Sequence, residues 1–472
     1  MKISTKCLVC LILNLAVLTR SVECGKFWHI SDIHYDIYYS LNKTTTNITC
    51  PSSYNYPSID PGPWGDYNCD SNFRLINSSI YSMKSIEPTP DFILWTGDDV
   101  FHTDEEEKYL NVSLMYDIMS NVTSLIQEAF PDIQVFAALG NHDYLPKNEM
   151  PSTPNDIVAN TALIWREWLT DDQYALFKET GYCSSITNHA PNLRVIVLNT
   201  NTWDLYNPTV TGTGDPAGQF KWFEEQLFLS KIAGNKVFIM GHIAPGFFER
   251  VVNETYFWPE YNKRYVKLVE QYKDVISGQF FAHHHTDSFK IFYDADKYPI
   301  SVLYHVPSVT PRIGTRDGSV NPGVRLFHYE KATTEILDYT QYVFDLQAAN
   351  DGQNAEWQVE YNFVETYGLP NVSAQSLHDL ALKFKASETS GCKSSNDQCN
   401  ADILQRYSLY NTVSYQKGYC DSICQRNFVC AMQAVDHQLY QDCVNSWNNA
   451  VGLRGFQFFG IYFAFGIVLL KF

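Results

Sequence analysis

A chain of 472 residues with 31 Tyr and 29 Phe has the apolar material for a large packed core, which excludes a disordered polymer. Its formal charge of −18, with no run of Lys or Arg, excludes a binder of nucleic-acid duplexes, which needs a basic face. An acidic protein that handles phosphate needs positive charge from elsewhere, such as metal ions.

In chain order, the first feature is a targeting segment. Lys2 and Lys6 precede an apolar stretch, Cys7 to Leu18, which gives way to small and polar residues around Ser21 to Gly25. That is the form of a secretory signal, and residues 1–24 are expected to be removed. Phe27–Ile30 reads as the first buried strand and ends at Ser31-Asp32-Ile33-His34. Cys50 and Cys69 bracket a stretch rich in Pro, Tyr and Ser and are expected to close a loop. A helix is predicted over about 71–86. Strand Phe92–Trp95 runs into Thr96-Gly97-Asp98, and a helix over about 109–130 leads to strand Val135–Leu139 and Gly140-Asn141-His142-Asp143. Helices at about 155–168 and 219–233 flank strand Val195–Leu198. Val237–Met240 ends at Gly241-His242, and Phe280-Phe281 runs into Ala282-His283-His284-His285. Short apolar runs separated by helices predict buried strands of an α/β or mixed-sheet core.

Beyond about residue 345 the texture changes. Asp351–Asn354 reads as a linker, and Gln358–Tyr367 as a strand or short helix. Ala374–Lys385 and Asn400–Tyr410 look helical, and Cys420–Val444 looks like helices tied by disulfides. Six of the nine cysteines after the signal lie from Cys392 onward, which points to an oxidising compartment and leaves Cys183 as the odd thiol. A zinc finger on Cys420 and Cys424 is the weaker alternative. The expected domains are 25–345, catalytic, and 346–445, a smaller C-terminal subdomain. Gly455 to Leu470 is apolar and only Lys471 and Phe472 follow. Sixteen helical residues reach about 24 Å, short of a hydrocarbon core of about 30 Å. With small residues upstream, 446–472 is expected to be a glycosylphosphatidylinositol-anchor signal or a short membrane tail. Sequons at Asn42, Asn47, Asn77, Asn111, Asn121, Asn253 and Asn371 predict a glycosylated protein at the cell surface or outside the cell.

Most of these strands stop at residues able to hold a metal or a proton, where open α/β sheets collect ligands. The ordered set Asp32-x-His34, Gly97-Asp98, Gly140-Asn141-His142-Asp143, Gly241-His242 and His283-His284-His285 resembles the five-part signature of calcineurin-like metallophosphoesterases. The resemblance implies a four-layer αββα sandwich, here with a small disulfide-rich helical C-terminal subdomain. It also implies two divalent metal ions, zinc being expected. Asp32, His34 and His285 would hold one; Asn141, His242 and His283 the other; Asp98 would bridge them. Imidazole and carboxylate suit Zn, Fe or Mn, and the absence of Cys fits a catalytic site. A hydroxide shared by the ions is the implied nucleophile. His142 is the implied general acid, and His102, four residues past Asp98, would flank the phosphate. Asp143 either orients a neighbouring ring or caps a turn. In an extended backbone His283 and His285 face one way, leaving His284 exposed or behind the ligands. Ala282 stands where the family has Gly and would be strained at positive φ.

Purple acid phosphatases carry a Tyr where this chain has Phe101. The longer match is to the acid sphingomyelinase group: Trp28-His29-Ile30-Ser31-Asp32-Ile33-His34-Tyr35-Asp36, Trp95-Thr96-Gly97-Asp98, Pro307-Ser308-Val309-Thr310-Pro311, Asn321-Pro322-Gly323-Val324-Arg325 and the Cys-rich tail. With Asp32 so soon after the signal, no saposin-type domain is expected ahead of it. The chain is most similar to the acid sphingomyelinase-like phosphodiesterases, in their membrane-anchored form. The expected substrate is a small phosphate compound, nucleotide-like or phosphocholine-like. The alternatives are a phosphatase acting on monoesters and a membrane lipid-binding protein with little turnover.

Overall fold

A computed structural model describes residues 23–41, 50–53, 61–314, 318–387, 403–416 and 418–447. Residues 1–22 of the expected signal, the C-terminal apolar tail, the sequons at Asn42 and Asn47, and Cys392 and Cys399 lie outside these residues. No helix among the described residues is long and apolar enough to cross a membrane.

The chain first lays down β1 (Cys24–Ile30), β2 (Phe92–Trp95) and β3 (Val135–Ala137), each parallel to the one before. A second sheet follows from β4 (Cys183–Ile186), β5 (Leu193–Val197), β6 (Lys236–Met240), β7 (Ile276–Phe281), β8 (Ser288–Tyr293) and β9 (Pro299–His305). After a small hairpin of β10 (Arg312–Gly314) and β11 (Gly318–Ser319), the chain returns to the first sheet with β12 (Gly323–Glu330), β13 (Ile336–Val343) and β14 (Gln358–Asn362). The two six-stranded mixed sheets have the orders β14-β13-β12-β1-β2-β3 and β4-β5-β6-β7-β9-β8.

Their inner faces meet through aromatic rings. Phe27 stacks between Phe92 (4.8 Å) and Phe327 (5.0 Å) in its own sheet and meets the edge of Phe280 (5.3 Å) in the other. Every residue of β2 is buried, as a strand covered on both faces requires. Helices Phe73–Ile86 and Val112–Ala129 cover the outside of the first sheet, and Gln219–Ala233 and Pro259–Gln271 the outside of the second. Asn72 and Asn111 cap the first two, each accepting from the amide three residues on. The result is the expected αββα sandwich.

Gln358–Tyr367 is both of the things its pattern allowed, strand β14 and then helix Phe363–Tyr367. Helices Asp171–Thr180 and Pro259–Gln271, and the antiparallel strands β8, β9, β12 and β13, have no counterpart in the sequence-based expectation. Cys50–Cys69, Cys420–Cys424 and Cys430–Cys443 are disulfides, which removes the zinc-finger alternative. Cys183 is a free, buried thiol.

Parallel pairing aligns the strand ends that matter. Ile30 pairs with Trp95, and Trp95 with Ala137, in the first sheet. Met240 pairs with Phe280 in the second. The loops that follow all five strands therefore leave the sandwich at the same end.

Candidate metal centre

Asp32, His34, Asp98, Asn141, His242, His283 and His285 meet in this mouth. His285 Nε2 lies 3.3 Å from Asp32 Oδ1. Asp98 Oδ2 lies 3.5 Å from His34 Nε2 and 3.1 Å from His242 Nε2, so it stands between two groups. On the second side, His242 Nε2 is 3.1 Å from Asn141 Oδ1 and 3.2 Å from His283 Nδ1. Three sets of ligand atoms each lie within 4.8 Å of one another: Asp32, His34 and Asp98; Asp98, His242 and His283; and His34, His102 and His285.

Three of the imidazoles are oriented by backbone carbonyls. Nδ1 of His34 donates to Val100 O (2.8 Å), that of His242 to Thr96 O (2.8 Å), and that of His285 to Arg312 O. This leaves each Nε2 as a lone pair aimed inward, the arrangement a metal-binding histidine needs. His283 differs, because its Nδ1 faces the cluster. Asn141 Nδ2 donates to Asn148 Oδ1 (2.8 Å), which fixes the amide with its oxygen toward the site. Asp32 Oδ1 and His34 Nε2 are buried with no hydrogen-bond partner. Buried acceptors crowded together without donors are costly, and a divalent cation satisfies them. The donor set of nitrogen and carboxylate oxygen fits a transition-metal ion.

The backbone here is strained. Asp32, His34, Asp98, His283 and His285 have φ of 49°, 43°, 60°, 71° and 59°, left-handed values that cost about 1–3 kcal/mol each in non-glycine residues. This corrects the expectation of an extended backbone through the three histidines. His283 and His285 reach the site because each sits in a left-handed kink. Ala282 is not strained; the positive φ falls one residue later. His284 is buried, its ring stacked on His305 at 4.4 Å, with Nδ1 3.6 Å from Glu249 Oε2, so it is not the exposed histidine that one alternative allowed. Gly140 is required by proximity, since a Cβ there would lie 1.9 Å from Asp98 Oδ1. Asp143 caps the turn: its carboxylate accepts from the amides of Asp98 (2.9 Å), Asp99 (2.7 Å) and Gly140 (2.8 Å) and so ties two ligand loops together.

Charge follows the geometry. Burial alone would raise the pKa of Asp32, but the imidazoles of His285, His242 and His34 outweigh it and hold the carboxyl well below its usual range. Burial pushes His102 and His142 well down, with help from Arg312 for His102 and from His102 for His142.

His102 and His142 border the cluster, their rings 4.3 Å apart and 4.0 and 5.1 Å from His34. The His142 amide donates to Asp98 Oδ1 (2.8 Å). Sequence reasoning missed Asp70. Its carboxylate faces His102 Nδ1 at 3.0 Å, accepts the His102 amide at 2.6 Å, and accepts from Thr310 Oγ1 at 3.1 Å. The signal was its place beside Cys69, whose disulfide anchors the segment. Phe248 and Tyr256 also line the cavity with the histidines; no motif marked them.

Residues 25–287 match the calcineurin-like phosphoesterase family and residues 298–450 the acid sphingomyelin phosphodiesterase C-terminal region. The chain is 43% identical to human acid sphingomyelinase-like phosphodiesterase 3b, over 89% of this chain and 90% of that protein. It is 33% identical to human cyclic GMP-AMP phosphodiesterase SMPDL3A, over 89% and 90%. It is 30% identical to sphingomyelin phosphodiesterase B of Dictyostelium discoideum, over 89% of this chain and 65% of that protein. The chain therefore belongs to the acid sphingomyelinase-like phosphodiesterases, metal-dependent hydrolases of the calcineurin-like phosphoesterase family.

Proposed function

We propose that this phosphodiesterase works outside the cell or at its surface on small soluble diesters or anhydrides, nucleotide-like or phosphocholine-like. Two divalent cations, zinc the expected one, would be held by Asp32, His34 and His285 and by Asn141, His242 and His283, with Asp98 shared. The observation that carries this reading is the crowding of candidate ligand atoms around Asp98, with Asp32 Oδ1 and His34 Nε2 buried and without a hydrogen-bond partner. Bound cations supply Lewis acidity and lower the pKa of water into the range where it attacks phosphorus.

The protein's own groups do the rest. His102, oriented by Asp70 through Nδ1, presents Nε2 to the phosphate. His142 hands a proton to the departing oxygen. The Tyr256 ring stands edge-on to His283 at 4.4 Å, and Phe248 lies 4.7 Å from the His284 ring. This aromatic wall suits a flat base or a quaternary ammonium. Export and a C-terminal lipid anchor are part of the proposal, supported by the disulfides and by the sequence of the two ends. So is a catalytic domain of 25–345 followed by a C-terminal subdomain.

The test is a substrate panel of a cyclic dinucleotide, ATP, CDP-choline and sphingomyelin vesicles, each with and without chelator. A soluble diester or anhydride should turn over fastest, activity should vanish on chelation, and zinc should restore it. Full turnover by protein shown to be metal-free rules the reading out. A second expected result concerns Asp70. Asp70→Asn lets an amide NH₂ face His102 Nδ1 and disturbs its tautomer. Turnover should fall about 10–100-fold while metal content stays at the wild-type level; an unchanged kcat would remove the orienting role of Asp70.

A further inference from the structure

We propose that the C-terminal region is part of the metal centre's support, acting through one buried side chain, Asn411, as a positioning residue. The inference rests on the metal centre proposed above.

Asn411 ends helix Ile403–Asn411 and is 1% exposed. Its polar atoms are all engaged across the boundary. Nδ2 donates to Glu249 Oε1 (2.9 Å) and to the carbonyl of Asp287 (3.0 Å). Oδ1 accepts from Arg250 (3.2 Å), and the Asn411 carbonyl accepts the Asp287 amide (3.0 Å). Both backbone groups of Asp287, two residues past His285, are thus held by a single residue more than a hundred positions away.

Glu249 extends the grip. It is 3% exposed and lies on the loop that follows His242. Oε1 also accepts from Thr286 Oγ1 (2.8 Å), and Oε2 faces His284 Nδ1 (3.6 Å). Three separate segments meet at this carboxylate: the loop after β6, the histidine loop after β7, and the end of the C-terminal helix.

The histidine loop needs such a grip. His283 and His285 are held at positive φ, and strained conformations persist only where the surroundings over-determine them. From the catalytic side the loop is tied by the His283 amide to Asp32 Oδ2 (3.3 Å) and by the Ser308 amide to the His285 carbonyl (3.3 Å). From the other side it is tied by Asn411. Without that amide, Glu249 and the Asp287 carbonyl each lose a donor that spans the two loops, and the fixed geometry that the strained backbone depends on loses one of its ties.

The experiment measures zinc retained per chain across a chelator series, together with the thermal midpoint of the metal-free protein. Asn411→Ala should bind zinc about tenfold more weakly, and Asn411→Asp more weakly still, because its carboxylate meets Glu249. Asn411→Asp with Glu249→Gln restores a donor–acceptor contact between these two side chains but leaves a carboxylate facing the Asp287 carbonyl, so it should recover only part of the loss; it serves if the Ala variant does not fold. The control is His378→Phe, which cuts the bond of His378 Nδ1 to Tyr293 OH (2.9 Å) and loosens the same region away from Glu249. It should lower the midpoint and leave zinc affinity at the wild-type value. Wild-type affinity in Asn411→Ala, or equal zinc loss in His378→Phe, overturns the inference alone. A wild-type chain that holds no zinc overturns the metal reading and this inference with it.

Discussion

Asp98→Asn should lower kcat/KM by at least about 10³-fold and weaken metal binding beyond the roughly 10–100-fold seen when only an outer partner is lost. The substitution keeps the shape of the side chain and removes its charge. Asp98 Oδ2 lies between His34 Nε2 (3.5 Å) and His242 Nε2 (3.1 Å), while Oδ1 accepts the His142 amide at 2.8 Å. A carboxylate serves both sides at once. An amide has one acceptor oxygen, and its NH₂ placed at Oδ2 would point two protons at the lone pairs of the imidazoles. The expected protein is folded and metal-poor, as elemental analysis and a thermal scan would show. A variant that kept wild-type metal and turnover would end the shared-ligand assignment.

His142→Ala should separate binding from chemistry. Its ring borders the cluster without joining any of the three ligand sets, so metal content should be unchanged. The loss should appear in kcat, about 10²–10⁴-fold, for esters with an alkoxide leaving group, and should be much smaller for a nitrophenyl ester, which departs without a proton. Burial and the neighbouring His102 hold the His142 pKa well below its ordinary value. Its donating form therefore grows as pH falls, and the wild-type rate on alkyl esters should rise toward mild acidity until the ligand imidazoles take up protons and release metal. Equal losses on both kinds of ester would assign His142 to phosphate binding instead of proton transfer.

The sandwich was legible because its parallel strands are continuous apolar runs closed by turn residues. Phe92–Trp95 is the clearest case. The antiparallel strands β12 and β13 were not, because their inward positions alternate with polar residues such as His328 and Asp338 and give no continuous run. The candidate ligand residues, which the structure brings together, were legible as short motifs at strand ends. Their conformation was not. A spacing of two suggests an extended strand, and only tertiary packing could reveal that His283 and His285 sit in left-handed kinks. Asp70 and Asn411 contact partners far away in sequence, His102 and Asp287, and a motif search has no access to such pairs. Phe248 and Tyr256 were hidden for a simpler reason, since isolated aromatics are ordinary core material.

The mouth of the sandwich draws Asp32, His34, Asp98 and Asn141 from one sheet and His242, His283 and His285 from the other. Any cation lodged there rivets two slabs that otherwise adhere through greasy rings. Occupancy and folding are then linked: free ion at a hundred times its Kd adds about 2.7 kcal/mol of resistance to unfolding. The proposed metal ligands would double as a clasp, and a starved enzyme would be a looser one before it is an idle one.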